Sequence, residues 1–587
     1  MASNDEAAWR RRFRAARISL PAWARDEPDR LLYSSNASGK WELYTWDRRA
    51  DAHRQATDRP EGTLHGELDP TGEWVWWFDD ERGNEFGRWI VEPFAGRAER
   101  RTVAHELPPA YSAGLEIARG FAVQGSATDH GSHIHLLHAA ESPRLLYEHR
   151  ESAWTGGLSR DESLLCIGHS EQGDSRHPAL RVLKLDGFPI ADLWDGAGRG
   201  LWPAGWSPVA GDQRMLVIHE RQDMPRPLIW SPETGNVVEL VVDLPGEVGA
   251  KWYPDATALL LSHDFQGRVQ LYRYDLSHHT VDLISTEPGT IAGAQVRPDG
   301  EVWYAWTRAS TPTEIRAAGR VLLRPPGERA PGGVAYTDHE VDGVPIFLAE
   351  PEKPRPHPTI FEIHGGPTAQ DRDTFSPLVQ AWVDHGFAVI LINYRGSTGY
   401  GKAWRDAIER NPGLTELQDI ANVHDWALSE GIADPARIVL AGASWGGYLT
   451  LLGLGTQPER WSLGLAAVPV ADYVAAYEDE MEPLKDFDRS LFGGSPKEVP
   501  EVYRERSPIT YVENMRMPLM ILAGENDPRC PIRQINNYIQ KLEELGRPPA
   551  VYRFDAGHRS LVIEETIKQV EAQIAFVAKH LGTPEPR

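Results

Sequence analysis

A serine stands in a glycine-rich turn between a predicted strand and a predicted helix. The segment 442–447 reads GASWGG, follows the apolar run 437–441 and leads into the apolar run 448–452. A strand, a tight turn and a helix with serine at the turn form a nucleophile elbow, in which the flanking glycines let strand and helix approach closely. Ser444 is therefore predicted to be a covalent nucleophile. The motif alone is equally compatible with an ordinary glycine-rich turn, so its assignment as a nucleophile elbow depends on its partner residues.

An aspartate and a histidine follow the serine in the order that such a site requires. The apolar strand 518–523 runs into a turn that contains Asp527, and the strand 550–554 ends shortly before His558. Parallel strands of an open α/β sheet end at one edge, where the active sites of such sheets lie. A serine hydroxyl needs a histidine base, oriented by a carboxylate, to attack at neutral pH. We predict a catalytic triad of Ser444, Asp527 and His558, because three ordinary loop residues would rarely coincide in this order.

A second glycine-rich turn could supply backbone donors for a tetrahedral oxyanion. The predicted strand 358–363 is followed by HGGP at 364–367, whose glycines allow the backbone to approach the reacting atoms. In the nucleophile-elbow architecture one donor is the amide after the nucleophile and the other comes from an upstream loop of this kind. We predict that the N–H groups of Trp445 and Gly366 form the oxyanion hole. The alternative for HGGP is a simple turn that ends a strand.

Five motifs of the C-terminal part occur in a characteristic order. They are HGGP at 364–367, NYRGSTGYG at 393–401, GASWGGY at 442–448, DPR at 527–529 and GH at 557–558. Together they resemble the prolyl oligopeptidase family of serine peptidases. Within that family the sequence is most similar to the acylaminoacyl-peptidase and dipeptidyl-aminopeptidase-like branch.

The resemblance implies further site residues. In that family the arginine two residues after the triad aspartate holds a substrate carbonyl, which implies this role for Arg529. The segment that contains Tyr473 and Tyr477 resembles the lining of the pocket for the side chain that precedes the scissile bond. Dipeptidyl peptidases carry a tyrosine where this chain has His364, so a backbone donor is expected in place of a phenol. His364 is then expected to contribute to substrate binding.

The first part of the chain contains a weak internal repeat. Turn motifs recur before β-rich runs such as 74–78 and 164–167, at intervals of roughly 45 residues, the period of four-stranded propeller blades. One double interval leaves room for a blade around 120–123, which gives seven blades. A stack of unrelated hairpins is the alternative. We predict an all-β seven-bladed propeller over 23–325 and an α/β-hydrolase domain with a mostly parallel, doubly wound sheet over 326–587.

Composition marks the boundary between the two predicted domains. A Pro/Gly-rich connector covers 324–333, and we place the change of domain at about 326–330. Ahead of the propeller, residues 1–22 contain a helix candidate from about Asp5 to Arg17, with three consecutive arginines at 10–12. Its apolar side chains indicate that it packs on the hydrolase or on the interdomain seam.

The overall charge and the cysteine count limit the partners and the compartment. A net charge of −24 would repel a phosphate backbone, so no nucleic-acid partner is expected. The sequence shows no apolar run long enough for a membrane span and no secretory leader, and its two cysteines, Cys166 and Cys530, fall in different domains. These features predict a cytoplasmic protein without a disulfide. No metal or nucleotide motif is evident, so no cofactor is expected, and edge strands would offer surfaces for a homo-oligomer.

An acidic run lies near the predicted substrate pocket. It consists of Glu478, Asp479, Glu480 and Glu482. Such a run is usually the solvated face of a helix. The sharper hypothesis is that one of these carboxylates binds a free substrate amine.

These patterns predict a serine peptidase that forms an acyl-enzyme on short peptides and cuts near the N-terminus, as an aminopeptidase or an acylaminoacyl-peptidase. The resemblance implies that the propeller restricts access to short substrates. A carboxylesterase or small-molecule amide hydrolase is the first alternative, because the same fold and chemistry serve esters. A propeller interaction protein with an inactive hydrolase is the second, and the complete triad argues against it. The sequence leaves open whether the substrate N-terminus is free or acylated.

Overall fold

The chain folds into an N-terminal all-β domain and a C-terminal α/β domain. A computed structural model describes residues 6–96, 100–104, 106–139 and 141–582 of the 587-residue chain. Asp5, the predicted start of the first helix, lies outside these ranges. So do the other residues of 1–5, which begin the predicted N-terminal segment, and residues 583–587, which end the predicted hydrolase domain. Helix α1 spans Ala8–Arg14.

Antiparallel four-stranded sheets make up the N-terminal domain. The separate sheets are β1–β4 (Ala22–Trp23, Arg30–Ser35, Glu42–Asp47, Ala52–Gln55), β13–β16 (Ala153–Leu158, Leu164–His169, Ala179–Lys184, Pro189–Leu193), β17–β20 (Leu201–Trp206, Met215–His219, Arg226–Ser231, Asn236–Glu239), β21–β24 (Glu247–Trp252, Ala258–Phe265, Arg268–Asp275, Val281–Ile284) and β25–β28 (Thr290–Val296, Val302–Arg308, Thr311–Ala317, Arg320–Leu323). One larger sheet contains β5–β12 (Gly66–Leu68, Trp74–Asp80, Phe86–Pro93, Arg101–Thr102, Ala110–Ile117, Phe121–Thr128, Gly131–His138, Arg144–His149).

The prediction of a propeller is confirmed, but the predicted count of seven blades is wrong. In the described part of the chain, five blades are separate four-stranded sheets, and β5–β12 form a single eight-stranded sheet. The fusion occurs where β7 pairs with β9, with Phe86 opposite Tyr111 and Gly87 opposite Ala110. A repeat period reports how often a unit recurs along the sequence. It carries no information about hydrogen bonds between the edges of neighbouring units.

The ring closes by side-chain packing between its first and last sheets. The indole of Trp46 lies 6.2 Å from that of Trp303, and both belong to a buried cluster that also holds Leu31 and Ile315. Arg297 donates a hydrogen bond of 3.0 Å from Nη1 to the carbonyl of Pro28. The first and last blades therefore close the propeller through a buried apolar seam and a polar contact.

The C-terminal domain is built on one eight-stranded sheet. Its strands are β29 (Thr337–Val341), β30 (Val344–Ala349), β31 (His357–Ile363), β32 (Ala388–Ile392), β33 (Ala433–Ala443), β34 (Leu463–Ala467), β35 (Leu519–Gly524) and β36 (Ala550–Phe554), in the order β29-β30-β32-β31-β33-β34-β35-β36. The first three in this order pair antiparallel, and from β32 onward all pairs are parallel.

Helices cover both faces of this sheet. They are α2 (Pro377–Asp384), α3 (Lys402–Asp406), α4 (Leu414–Ser429), α5 (Trp445–Thr456), α6 (Tyr473–Asp479), α7 (Glu482–Phe492), α8 (Pro500–Arg506), a 3-10 helix (Pro508–Asn514), α9 (Ile532–Glu544) and α10 (Ile563–Leu581). Successive residues of one strand enter opposite cores, as Val439 and Leu440 of β33 do. Strands buried on both faces read as continuous apolar runs, which is why the doubly wound sheet could be predicted.

The N-terminal helix packs on the C-terminal domain. Trp9 and Phe13 of α1 are buried in the same apolar cluster as Trp382 of α2, and Arg12 pairs with Asp384 at the end of α2. The last propeller strand ends at Leu323 and the first strand of the large sheet begins at Thr337, so the predicted connector lies between the two sheets. No described helix is both long and apolar enough to cross a membrane.

Charged side chains join the two domains away from the sheet edge. Arg176 of the propeller binds Glu409 at 2.7 Å, and the ring of His177 lies 3.1 Å from Oδ2 of Asp406. Burial lowers the pKa of His177, but its hydrogen bonds to Asp174 and Asp406 outweigh this and raise it to about 9. The imidazole is therefore cationic at neutral pH and fixes these loops together.

Candidate active site

The turn at Ser444 is strained and leaves no room for side chains around it. Ser444 separates β33 from α5 and has φ 57° and ψ −120°, a conformation that non-glycine residues rarely adopt. A Cβ atom on Gly442 would lie 2.6 Å from the carbonyl oxygen of Gly446. A Cβ atom on Gly446 would lie 1.9 Å from the carbonyl oxygen of Ile363. Both glycines are therefore sterically required for the elbow.

Asp527 and His558 form a hydrogen-bonded pair at the same edge of the sheet. Their loops follow β35 and β36, which are neighbours, and Nδ1 of His558 lies 2.7 Å from Oδ2 of Asp527. The side chain of Asp527 is fully buried, and its Oδ1 accepts hydrogen bonds from the backbone N–H groups of Arg529 (2.8 Å) and Cys530 (2.9 Å). An aspartate fixed in this way orients the imidazole and leaves Nε2 for proton transfer.

Cys530 lies beside the His–Asp pair. Its Sγ, a carboxylate oxygen of Asp527 and a ring nitrogen of His558 lie within 4.8 Å of one another. Among the described residues no hydrogen bond joins Ser444 directly to His558. Such contacts are often long in free enzymes and shorten when substrate binds.

Two backbone amides beside Ser444 are free to bind an oxyanion. The N–H groups of Trp445 and Gly366 donate no hydrogen bond to any described residue. The neighbouring glycine, Gly365, lies against the elbow, since a Cβ atom there would be 3.2 Å from Cβ of Ser444 and 3.7 Å from the amide nitrogen of Trp445. The HGGP loop and the first turn of α5 therefore face each other across the nucleophile.

A buried glutamate that sequence reasoning missed fixes the side chain of Trp445. Oε1 of Glu416 accepts a hydrogen bond of 3.2 Å from the indole N–H, and Oε2 accepts one of 2.7 Å from the backbone of Gly413. Burial raises the pKa of Glu416 to about 8. Because Glu416 lies 28 positions before Ser444 within a helix pattern, only its place in the fold reveals the contact.

His364 supports the HGGP loop from within. Its ring stacks on Tyr394 with centroids 4.3 Å apart, Nε2 contacts the Ser397 hydroxyl at 2.8 Å, and Nδ1 contacts the carbonyl oxygen of Gly365 at 2.8 Å. Burial lowers its pKa to about 4, so the ring is neutral at pH 7. Both ring nitrogens are thus engaged within the protein, and the ring holds the loop that carries Gly366.

Arg529 extends from the triad loop toward the propeller. Its guanidinium binds the carboxylate of Glu85 through two hydrogen bonds, Nε–Oε1 at 2.7 Å and Nη2–Oε2 at 2.9 Å. Glu85 lies in the β6–β7 loop, where Arg82, Gly83 and Glu85 all have positive φ. No sequence pattern predicts this pair, because the two residues lie 444 positions apart.

The same propeller loop also touches the catalytic histidine loop. A Cβ atom on Gly557, the residue before His558, would lie 1.8 Å from the carbonyl oxygen of Gly83. Only a glycine allows this approach. The β6–β7 loop therefore contacts the loops of two triad members, Asp527 and His558.

The tyrosines predicted to line the substrate pocket belong to an aromatic cluster behind the site. Tyr473 is only 2% exposed, and its ring centroid lies 4.8 Å from that of Phe492. Tyr477 is partly exposed, packs 5.8 Å from Tyr503 and accepts a hydrogen bond of 3.4 Å from Arg489. The rings form a dense apolar wall with polar hydroxyl groups at its edges.

A cavity of about 720 Å³ opens between the domains at the catalytic edge. The C-terminal domain contributes Arg529, His558 and Arg559, and the propeller contributes a mixed wall that includes four carboxylates. The acidic residues of this wall are Glu61, Glu67, Asp80 and Glu85. A volume of this order suits a small molecule or a few residues of peptide, and excludes a folded protein.

Two groups of described side chains come within metal-ligand distance. The first is Asp527, Cys530 and His558, in which the carboxylate is already bound by the imidazole and by backbone amides. The second contains His177, Asp406 and Glu409, whose carboxylates are bound by arginines. In both groups the carboxylate oxygens already form hydrogen bonds or ion pairs with other protein groups, so neither group suggests a resident metal.

Residues 373–584 match the family model of the Prolyl oligopeptidase family. The dipeptidyl aminopeptidase BIII of Pseudoxanthomonas mexicana is 24% identical over 412 residues, 64% of this chain and 55% of that protein. The acylamino-acid-releasing enzyme of Rattus norvegicus is 26% identical over 294 residues, 48% of this chain and 39% of that enzyme. The chain thus spans about two fifths to just over half of the length of these curated relatives.

A solved structure extends the similarity to the whole chain. The crystal structure of a puromycin hydrolase matches with a TM-score of 0.83, covering 99% of this chain and 97% of that one at 20% identity. At this identity the match shows the fold alone. The comparisons confirm the predicted resemblance to the prolyl oligopeptidase family.

Proposed function

Because residues 373–584 match the model of the prolyl oligopeptidase family, we propose that this protein is a serine peptidase that hydrolyses short peptides near their N-terminus. The observation that carries the proposal is the strained Ser444 elbow beside the 2.7 Å His558–Asp527 pair, at the edge of an interdomain cavity. The names of the relatives, a dipeptidyl aminopeptidase and an acylamino-acid-releasing enzyme, support the same class of reaction.

In the proposed reaction Ser444 Oγ attacks the substrate carbonyl while Nε2 of His558 takes the hydroxyl proton. Asp527 holds the imidazole through Nδ1 and stabilises its cationic form. The N–H groups of Trp445 and Gly366 bind the oxyanion of the tetrahedral intermediate. His558 then protonates the leaving amine, and water hydrolyses the acyl-enzyme by the same steps in reverse.

We further propose that the substrate has a free N-terminal amine. Four carboxylates of the propeller face the cavity, and two of them, Asp80 and Glu85, are bound by arginines. Glu61 and Glu67 have no ion pair within the described residues, and Glu67 is exposed at the cavity wall. The ammonium group of a free N-terminus could pair with one of these carboxylates, whereas an acetylated terminus offers no charge for such a pair.

A panel of p-nitroanilides tests this function directly. We expect dipeptidyl substrates with a free amine to have a kcat/KM at least about tenfold above their N-acetylated forms, the size of one charge-assisted hydrogen bond. Preference for the acetylated forms would assign an acylaminoacyl-peptidase. Turnover of short-chain acyl esters with no anilide cleavage would favour the carboxylesterase instead.

Arg529 provides a second prediction, because its side chain is 48% exposed and can be replaced without disturbing a core. If Arg529 holds a substrate carbonyl, Arg529→Met should lower kcat/KM by about 10- to 100-fold, the loss of one or two hydrogen bonds to a charged group. Glu85→Gln should have a smaller effect in the same direction, since it only loosens Arg529. If Glu85 acts through Arg529, the loss of kcat/KM in the double variant should be smaller than the two single losses combined, because residues in contact are non-additive. Additive losses would contradict this coupling.

The cellular location and the partners of the protein are proposals as well. A cytoplasmic location is supported by two buried, unpaired cysteines, Cys166 and Cys530. Short peptides are the proposed partners, and the propeller is proposed to gate their access.

A further inference from the structure

The acidic run beside the pocket divides into paired and unpaired carboxylates. Glu478 and Asp479 both bind Arg533, at 2.7 and 2.9 Å. Glu482 binds Lys485 at 2.7 Å. Glu480 is the member of the run that no cationic side chain of the described residues binds, and it is also the buried one, with 5% exposure.

Glu480 faces a second buried carboxyl group, that of Asp488 on α7. Asp488 is 4% exposed, and the two carboxyl groups lie close enough for each to shift the pKa of the other. Oε1 of Glu480 and Oδ2 of Asp488 have no hydrogen-bond partner among the described residues. Burial raises the pKa of both groups, that of Asp488 to about 8. Burying two carboxyl groups whose oxygens lack hydrogen-bond partners costs folding free energy, unless a ligand supplies the missing partners.

The pair lies next to the catalytic site. Met481, the residue after Glu480, donates a backbone hydrogen bond of 2.9 Å to the carbonyl of Pro528, which follows the triad aspartate. Met481 also lines the interdomain cavity together with His558. The charges of Glu480 and Asp488 both act on Tyr473, one of the tyrosines predicted to line the pocket for the residue before the scissile bond.

We propose that Glu480 and Asp488 form the closed end of this pocket and bind the cationic side chain of a lysine or arginine that precedes the scissile bond. The inference rests on the proposed function and names its substrate class. Tyr473, Tyr503 and Phe492 form an aromatic wall near the two carboxyl groups. Such a wall suits the apolar stem of a long basic side chain and can also interact with its charge.

A comparison of lysyl and norleucyl p-nitroanilides isolates the ammonium group, because the two side chains share the same aliphatic stem. We expect the wild-type protein to have a kcat/KM at least about tenfold higher for the lysyl substrate. Equal or lower kcat/KM for the lysyl substrate would overturn the inference. Failure to cleave either substrate would instead count against the proposed function, so the two failures can be distinguished.

Variants of Glu480 and Asp488 test whether these two carboxyl groups cause the preference for the lysyl substrate. Glu480→Gln and Asp488→Asn should each lower the lysyl to norleucyl ratio by at least about tenfold, mainly through the lysyl substrate. The matched control is Glu478→Gln, which removes an exposed carboxylate of the same run and should leave the ratio unchanged. Equal losses on both substrates in Glu480→Gln, or an unchanged ratio in a folded variant, would contradict the assignment. If neither variant folds, the wild-type ratio alone remains decisive.

Discussion

Replacing Ser444 by alanine should lower kcat/KM at least about 10⁴-fold while leaving the fold unchanged. The substitution removes the nucleophilic oxygen but retains Cβ, so the strained backbone of the turn is not altered. Ser444 is partly exposed, and loss of its hydroxyl should change the free energy of unfolding by less than about 1 kcal/mol. Steady-state kinetics with the best anilide of the panel and thermal unfolding measure the two quantities.

The oxyanion amides and the cavity would remain in this variant. A small residual rate above the uncatalysed reaction is therefore consistent with the triad. A retained activity of more than a few per cent would show that another group is the nucleophile. A matched control is Ser397→Ala, which removes a hydroxyl near the site whose one hydrogen bond among the described residues is to the ring of His364, and it should cost far less activity.

Gly446→Ala should damage both folding and activity. In a helix, alanine is normally more favourable than glycine by about 0.5–1 kcal/mol, so a change in the opposite direction would be diagnostic. Here the added Cβ would lie 1.9 Å from the carbonyl oxygen of Ile363, which leads into the oxyanion loop. We expect a loss of unfolding free energy of about 3 kcal/mol and a fall in kcat/KM of at least about 100-fold.

The control for this substitution is Gly249→Ala in β21. A Cβ atom there would meet nothing within 4 Å, and the residue lacks a positive φ. This variant should be as stable and as active as the wild type. Wild-type stability and activity in Gly446→Ala would mean that strand and helix at the elbow are not packed as closely as described.

The catalytic edge could be predicted because each of its members follows a short apolar run. Ser444, Asp527 and His558 come directly after β33, β35 and β36, and parallel strands buried on both faces are continuous in sequence. The doubly wound sheet follows from the same runs. Short apolar runs in the sequence therefore predict both the architecture of the domain and the positions of these three residues.

Contacts between distant segments could not be predicted in this way. The Glu85–Arg529 pair and the approach of Gly83 to Gly557 depend on how the propeller is placed over the catalytic edge. The fusion of blades at β7 and β9 is a lateral pairing that a repeat period does not encode.

The acidic run shows a second limit of sequence reasoning. Four neighbouring carboxylates appear equivalent in the sequence, yet Glu480 is buried and unpaired by any cation while Glu478 is exposed and bound to Arg533. Burial and pairing arise when α7 and the loop after β35 pack against α6. Neither burial nor ion pairing can be predicted from the positions of these residues in the sequence.

Covalent labelling tests the central claim most directly, because it does not depend on knowing the substrate. A fluorophosphonate probe should modify the wild-type protein at one site, and peptide mass mapping should place the adduct on Ser444. Ser444→Ala should remain unlabelled, and His558→Ala should react much more slowly because the hydroxyl loses its base. An unlabelled wild-type protein, or an adduct on a residue other than Ser444, would contradict the account.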